Sequence, residues 1–237
     1  MASWCSRDER RGVEYGRGVI VAAAVCPPPP ALVPGVGVGL AELEPVRAAA
    51  HAAVESLLGQ NPERVVVIGP DRIAVDADEG AGGTFARFGV DLTAGGGNLV
   101  LPAAYTVGAW LLDAAGWTGP RHYTSSRPEP GDRDVLLVMA DADTAAGVSA
   151  PTHGDPRAAE LADIVAKALD AGDAAALAGL DVDLAREWEG TGVPALQLLG
   201  ELVERETAKR ASITAHLRSD EAPFGVRYWV ADWQLTG

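Results

Sequence analysis

The side chains best able to do chemistry follow apolar runs of the chain and do not form a catalytic motif. Such runs end near Val25, Ile68 and Met139. Because ligands of open α/β sheets bind at the carboxyl ends of the strands, the residues after these runs are the candidates for a site. They are Cys26 and Pro28 after the first run, Asp71 and Arg72 after the second, Asp141, Asp143, Thr144 and His153 after the third, and His216 and Glu221 around the strand-like segment before the last strand.

Asp141 and His153 are the pair best suited to acid–base chemistry, because a carboxyl group and an imidazole can exchange protons near neutral pH. Each also has a structural interpretation, since aspartates at strand ends cap turns and a single loop histidine is commonly solvated. Cys26 follows a buried run and has no basic neighbour in the sequence to lower its pKa. The sequence therefore predicts that Cys26 is a small core residue and not a nucleophile.

Several catalytic and nucleotide-binding signatures are absent from the sequence. No GxGxxG follows a predicted strand, and there is no Walker A, GxSxG or HExxH motif. The glycines of GVGVG, residues 35–39, lie in a proline-rich segment, which argues against a dinucleotide fingerprint. The candidates are therefore chosen by their place in the predicted sheet alone.

Composition limits the partners of the chain. Its 237 residues carry 19 Lys and Arg against 33 Asp and Glu, a formal charge of −14, which argues against nucleic acid and anionic membranes. Two cysteines form no disulfide framework and predict a reducing cytoplasm. Residues 18–41 are uncharged but are broken by prolines and glycines, so they predict no membrane span. A small-molecule ligand, a protein partner and a homo-oligomer all stay open.

Apolar patterning predicts the elements that position these candidates. Continuous aliphatic runs predict buried strands at residues 18–25, 64–71 and 134–141, and a helix over 40–58 joins the first two in a right-handed parallel β-α-β unit. Gly-rich residues 72–98 contain the strand-like pieces RIAV and FARFGVDL. Further elements are a helix over 101–116, helical pieces over 156–208, and strands over 212–217 and 224–235.

These elements predict an α/β fold. We expect a single domain over residues 18–237, in which a mixed, mostly parallel central sheet is flanked by helices on both faces. Residues 1–17 are polar and charged and predict a flexible N-terminal arm. Because 48% of the residues are apolar and only 5% are aromatic, the core is predicted to consist of small aliphatic side chains.

The order of these pieces resembles one known family. The stretches that carry the resemblance are AAAVCPPPPALVPGVG, RVVVIGP, FGVDL, LPAAYTVGAWLLDAAGW, DVLLVMAD and APFGVRYWVADW, between about residues 19 and 233. They are similar to the actinobacterial branch of the class III extradiol ring-cleavage dioxygenase superfamily, of the subunit-B-like type, which also includes the MEMO-like proteins. The resemblance is carried by strand ends and is weak over residues 145–215.

The resemblance implies a non-haem Fe(II) held by two histidines and a carboxylate, with a further histidine as acid/base. In this chain Pro28 stands in the place of the first ligand histidine, and Arg72 stands in the place of the second. Asp141 of the third pattern is kept, but Thr144 replaces the acid/base histidine. Glu221 is the nearest candidate for the carboxylate. The expected metal site is therefore degenerate.

Three hypotheses follow from these replacements, because proline offers a metal no lone pair and arginine is always cationic. The first is a non-catalytic or metal-free superfamily member with a binding or assembly role and no cofactor. The second is a metal-dependent oxidoreductase that holds iron or another divalent metal with relocated ligands. The third is a metal-independent acid/base enzyme. The relocated ligands would come from Asp71, Asp141, His153, His216 and Glu221, and the acid/base pair would be Asp141 and His153.

Overall fold

The computed structural model describes most of the chain. The described residues are 18–36, 41–70, 72–129, 131–141, 156–187, 192–208, 211–223 and 226–237. The predicted arm over residues 1–17 lies outside this part of the chain. So do four of the candidate site residues: Asp71, Asp143, Thr144 and His153.

A central sheet of seven strands organises the described residues. The sheet contains β1 (Ile20–Cys26), β2 (Arg64–Ile68), β3 (Asp76–Asp78), β7 (Arg121–Thr124), β8 (Asp134–Met139), β9 (Ser212–Glu221) and β10 (Tyr228–Thr236), and a small second sheet contains β4 (Ala81–Thr84), β5 (Thr93–Gly95) and β6 (Asn98–Leu99). The central order is β3-β7-β2-β8-β1-β10-β9. Strands β7, β2, β8 and β1 are parallel, whereas β3, β10 and β9 each pair antiparallel with their neighbour.

Helices cover both faces of this sheet. They are α1 (Glu44–Leu58), α2 (Ala103–Ala114), α3 (Pro156–Ala171), α4 (Ala174–Ala178), α5 (Val182–Glu187) and α6 (Val193–Thr207). Helices α1 and α2 and the small sheet bury one face, and helices α3 to α6 bury the other. The predicted α/β fold, with a mixed and mostly parallel sheet in one domain, is confirmed.

The parallel strands are apolar on both sides because both of their faces are buried. In β1, Ala22, Ala24 and Cys26 face α1 and α2, whereas Ala23 and Val25 face the other helical layer. Each of these five side chains is at most 2% exposed. Such burial on two faces produces the continuous apolar run from which the strand was predicted.

The structure corrects two local predictions. FARFGVDL is not a strand: Ala86–Phe88 forms a 3-10 helix that ends at Gly89, whose φ of 84° turns the chain out of an extended path. RIAV, residues 72–75, is likewise irregular. Strand β7 was not predicted as an element, and β8 lies between β1 and β2, which are parallel but not neighbours. None of the described helices is long and apolar enough to cross a membrane.

Helices α4 and α6 approach each other closely at Gly200. A Cβ atom at this position would lie 2.3 Å from the Ala178 backbone nitrogen and 2.6 Å from the Ala174 carbonyl oxygen. Both neighbours are backbone atoms of α4, so neither can swing away as a side chain would. The helical layer over β8 therefore depends on the absence of a side chain at residue 200.

Replacement Gly200→Ala is expected to lower the free energy of unfolding by about 1–3 kcal/mol, the usual effect of overpacking. Helix propensity alone would favour alanine by about 1 kcal/mol, so a loss of stability reports the steric clash. Gly97→Ala is the matched control, because a Cβ atom there meets nothing within 4 Å. Urea unfolding of both variants checks the prediction, and a stabilised Gly200→Ala protein would contradict the close approach.

Candidate functional site

The carboxyl ends of the four parallel strands lie along one edge of the central sheet. Residues 27–28 follow β1, residues 69–70 follow β2, residues 125–126 follow β7 and residues 140–141 follow β8. Because β9 runs antiparallel to β10 and β10 antiparallel to β1, β9 also ends at this edge. We call this the carboxyl edge, and it is where the sequence predicted a site.

At the end of β1, the chain buries a thiol and a proline. The Cys26 side chain is 0% exposed, and its Sγ atom lies 4.0 Å from the Ala50 carbonyl oxygen of α1. Burial raises the pKa of the Cys26 thiol to about 12, and the nearby carboxylate of Asp232 adds to the effect. Pro28 is also buried. The thiol is therefore protonated at neutral pH, as the core interpretation predicts.

Tyr105 of α2 lies across the ends of β2 and β7. Its hydroxyl donates to the carbonyl oxygens of Pro70, at 3.3 Å, and Thr124, at 3.2 Å. The ring packs so closely on Gly69 that a Cβ atom there would be 2.7 Å from the Tyr105 Cζ atom. Arg72, which follows, is exposed. Tyr105 of α2 thus covers the ends of β2 and β7 with structural contacts.

Asp141 lies under the beginning of α6. Its side chain is 3% exposed, and the Ala140 N–H donates to the Cys26 carbonyl at 2.9 Å, which extends the pairing of β8 with β1. A Cβ atom on Gly192 would lie 2.5 Å from the Asp141 carbonyl oxygen. Asp141 is therefore a buried carboxyl group at the carboxyl edge, and its predicted partner His153 lies outside the described residues.

His216 and Glu221 do not come together. His216 is in the middle of β9, where it pairs with Asp232 of β10, and its side chain is 58% exposed. Glu221 is the last residue of β9 and is exposed at the carboxyl edge. A strand rises about 3.3 Å per residue, so the two Cα atoms are about 16 Å apart. That separation is too large for both side chains to bind one metal ion at about 2.0–2.2 Å.

Sequence reasoning missed a buried carboxylate on β10. Asp232 is 2% exposed, and it accepts hydrogen bonds from the Ser56 hydroxyl of α1 at 2.8 Å and from the Arg218 guanidinium of β9. His216 Nδ1 lies 3.8 Å from the same carboxylate. The one signal for Asp232 in the sequence is a charge inside the apolar run YWVADWQL. These contacts tie α1, β9 and β10 together at the side of the sheet where β9 is the edge strand.

Arg227 forms hydrogen bonds with the acidic side chains near the end of β9. Its guanidinium donates to both carboxylate oxygens of Asp220, at 2.6 and 2.7 Å, and to Asp163 of α3 at 2.6 Å. The hydrogen bonds to Asp220 raise the pKa of Arg227, and the hydrogen bond from Arg227 lowers the pKa of Asp163. The two acidic side chains therefore serve as partners of one arginine that joins α3 to the strands.

The matched positions do not fit the iron that the family resemblance implies. Pro28 has no donor atom in its side chain, and the cationic Arg72 repels a metal ion. Within the described ranges, no three His, Cys, Asp or Glu side chains converge in a group that could hold a metal. In place of metal ligands, the described part of the carboxyl edge supplies buried apolar side chains and side chains that are held in structural hydrogen bonds.

Ionisation of Cys26 is expected to destabilise the fold at alkaline pH. The thiol has a pKa of 9.0 when free and about 12 when folded. The stability that it contributes is therefore fully present below pH 9 and is lost as the pH rises toward 12. We expect the stability of the wild type relative to Cys26→Ala to fall between pH 9 and 11, by on the order of 1 kcal/mol per pH unit. Urea unfolding of both proteins at several pH values measures this fall in relative stability. A stability difference that stays constant with pH would refute the prediction.

Two comparisons with known proteins found no match to the chain. No protein-family model matches the chain, and no curated protein matches it. Membership of the extradiol dioxygenase superfamily therefore stays a prediction from the residues at the strand ends.

Proposed function

We propose that this chain is a metal-free, non-catalytic member of the class III extradiol dioxygenase-like superfamily. In this proposal the carboxyl edge serves to bind a small molecule or a protein partner, or to assemble copies of the chain, in a reducing cytoplasm. The fold supports a binding role at this edge, because a mostly parallel α/β sheet presents its strand ends for binding. Chemistry, however, depends on side chains and not on the fold.

The burial of Pro28 behind Cys26 is the observation that carries the proposal. The family resemblance implies a metal-ligating histidine at residue 28, and a ligand needs a lone pair directed at an open coordination site. Here residues 26–28 are all buried, and the neighbouring Cys26 thiol is protonated. Because the Pro28 side chain has no donor atom, it cannot bind a metal ion even weakly.

The geometry of β9 argues against a metal held by relocated ligands. Two of the five relocated candidates, His216 and Glu221, are about 16 Å apart along one strand. His216 also lies beside the buried Asp232 and away from the carboxyl edge. A relocated site could not use both of these candidates, so it would need at least two of Asp71, Asp141 and His153. The acid/base hypothesis depends on the same Asp141–His153 pair, and His153→Ala is its direct test in any assay that detects turnover.

Exposed apolar side chains near the carboxyl edge support a binding or assembly role. Ile73 is 63% exposed and Val100 is 59% exposed. Ile73 follows Pro70 by three residues and Val100 precedes Tyr105 by five, and the hydrogen bond from Tyr105 to Pro70 joins these two segments. Apolar groups in contact with water beside the strand ends are available to contact a ligand or a partner.

Anaerobic loading with Fe(II) tests the proposal directly. After removal of unbound metal, we expect far less than one iron per chain, because the donor atoms of the facial triad are absent at residues 28 and 72. Elemental analysis gives the iron content, and oxygen uptake with catechol gives the activity. An iron-dependent extradiol enzyme treated in parallel controls for the loading step. One tightly held iron per chain, or oxygen uptake with catechol, would overturn the metal-free proposal.

Replacement Pro28→His alone is expected to leave the iron content at the wild-type level. The imidazole would supply one ligand, whereas Arg72 and Thr144 would still occupy the other two matched positions. Pro34→His is the control, because Pro34 is an exposed residue of the same proline-rich segment. If Pro28→His gained tight iron and Pro34→His did not, the alignment of this strand end with the family pattern would be wrong.

A further inference from the structure

A cavity of about 410 Å³ lies at the opposite end of the sheet from the carboxyl edge. It is enclosed by the amino-terminal halves of β1 and β8 and by the carboxyl-terminal half of α6. Its volume falls within the range of about 300–1,000 Å³ that is typical of small-molecule sites. The residues that line it are Gly18, Ile20, Pro128, Asp134, Leu136, Leu202, Arg205, Glu206 and Ala208.

The walls of this cavity are mainly apolar. Ile20 and Leu136 rise from adjacent strands, and Leu202 faces them from α6. Ile20, Leu136 and Leu202 also belong to the core cluster on this face of the sheet, so the cavity opens directly from packed core. A ligand with a hydrocarbon or aromatic body would therefore replace water against these walls with apolar contact.

The charged groups of the lining are not equivalent. Asp134 is already engaged, because Arg64 Nε donates to its Oδ1 at 3.0 Å and the Gly131 N–H donates to its Oδ2 at 2.7 Å. Glu206 is 7% exposed and has a contact of its own. Arg205, in the last turn of α6, is exposed and makes no ion pair with any described residue. Among the described residues that line the cavity, Arg205 is the cation without an ion pair, and it lies beside an apolar wall.

We propose that this cavity binds a small apolar molecule that carries one anionic group, with the anion paired to Arg205 and the apolar body against Ile20, Leu136 and Leu202. Charge complementarity selects the ligand class, since guanidinium groups bind carboxylates through paired N–H donors. This site is separate from the carboxyl edge and does not depend on the function proposed there.

Binding of octanoate to the full-length protein tests the assignment, with 1-octanol and octylamine as probes of equal chain length. Isothermal titration calorimetry is expected to show one octanoate site, weaker binding of 1-octanol and the weakest binding of octylamine. Octanoate should also raise the unfolding temperature by mass action. Tighter binding of octylamine than of octanoate would overturn the anionic class of the ligand.

Two pairs of variants locate the site. Ala208→Trp places a large ring at the exposed rim of the cavity and is expected to abolish octanoate binding, whereas Ala171→Trp, at the exposed end of α3, should leave binding unchanged. Arg205→Gln is expected to weaken octanoate about tenfold, the scale of one charge-assisted contact, and to leave 1-octanol unchanged. Circular dichroism confirms that each variant is folded.

Three results would overturn the proposal. Octanoate binding that survives Ala208→Trp would place the ligand elsewhere, and equal losses of octanoate and 1-octanol in Arg205→Gln would remove the ion pair. Tyr15→Ala, in the segment that precedes Gly18, tests whether the chain itself occupies the cavity. Tighter octanoate binding by Tyr15→Ala would show such competition and would replace the small-molecule assignment.

Discussion

The parallel pairing of β8 with both β1 and β2 is the constraint on which the rest of the structure depends. Each of its residues from Asp134 to Met139 is buried, because strands flank both sides and helices cover both faces. The one charge in this strand, Asp134, therefore needs a partner, and Arg64 supplies it from the residue directly opposite in β2. A buried carboxylate without such a partner would destabilise the fold by several kcal/mol. The same pairing aligns all four parallel strand ends at one edge, which is why a single edge collects the candidate residues.

The elements that sequence predicted correctly are those whose residue pattern follows from burial alone. The strands β1, β2 and β8 are apolar on both faces, and an aliphatic run of that kind has few other structures open to it. Strand β7 escaped prediction because three of the four residues in its RHYT sequence are polar, and its charged groups find acidic partners only through tertiary contacts: Arg121 pairs with Asp113, and His122 lies 3.0 Å from Asp76. The position of β8 between β1 and β2 could not be predicted either, since strand order is set by how the helical layers pack and not by a local pattern.

For the candidate site, topology identified the edge but not the direction of the side chains. Cys26 and Asp141 lie close together because β1 and β8 are neighbours and the Ala140 N–H donates to the Cys26 carbonyl, a proximity that the sequence did not predict. His216 illustrates the limit: it was grouped with the edge because the strand was predicted to end at residue 217, whereas β9 runs on to Glu221 and leaves His216 at mid-strand beside Asp232. The role of Tyr105 could not be predicted from the sequence either, because a tyrosine in an apolar helix is expected to be a core residue. Only the structure shows that its hydroxyl bonds to the carbonyl oxygens of Pro70 and Thr124.

The two ends of the sheet differ in how their polar groups are used. At the carboxyl edge, Tyr105 and Arg227 engage the strand ends and the nearby carboxylates in structural contacts. At the opposite end, Arg205 stands without an ion pair among the described residues, beside an open apolar cavity. A chain with a net charge of −14 repels anions at long range, but salt screens that repulsion beyond about 8–10 Å. A contact between a carboxylate and Arg205 acts within that distance and beside an apolar wall, where the local charge decides what binds. The acidic surface and an anion-selective cavity are therefore compatible in one molecule.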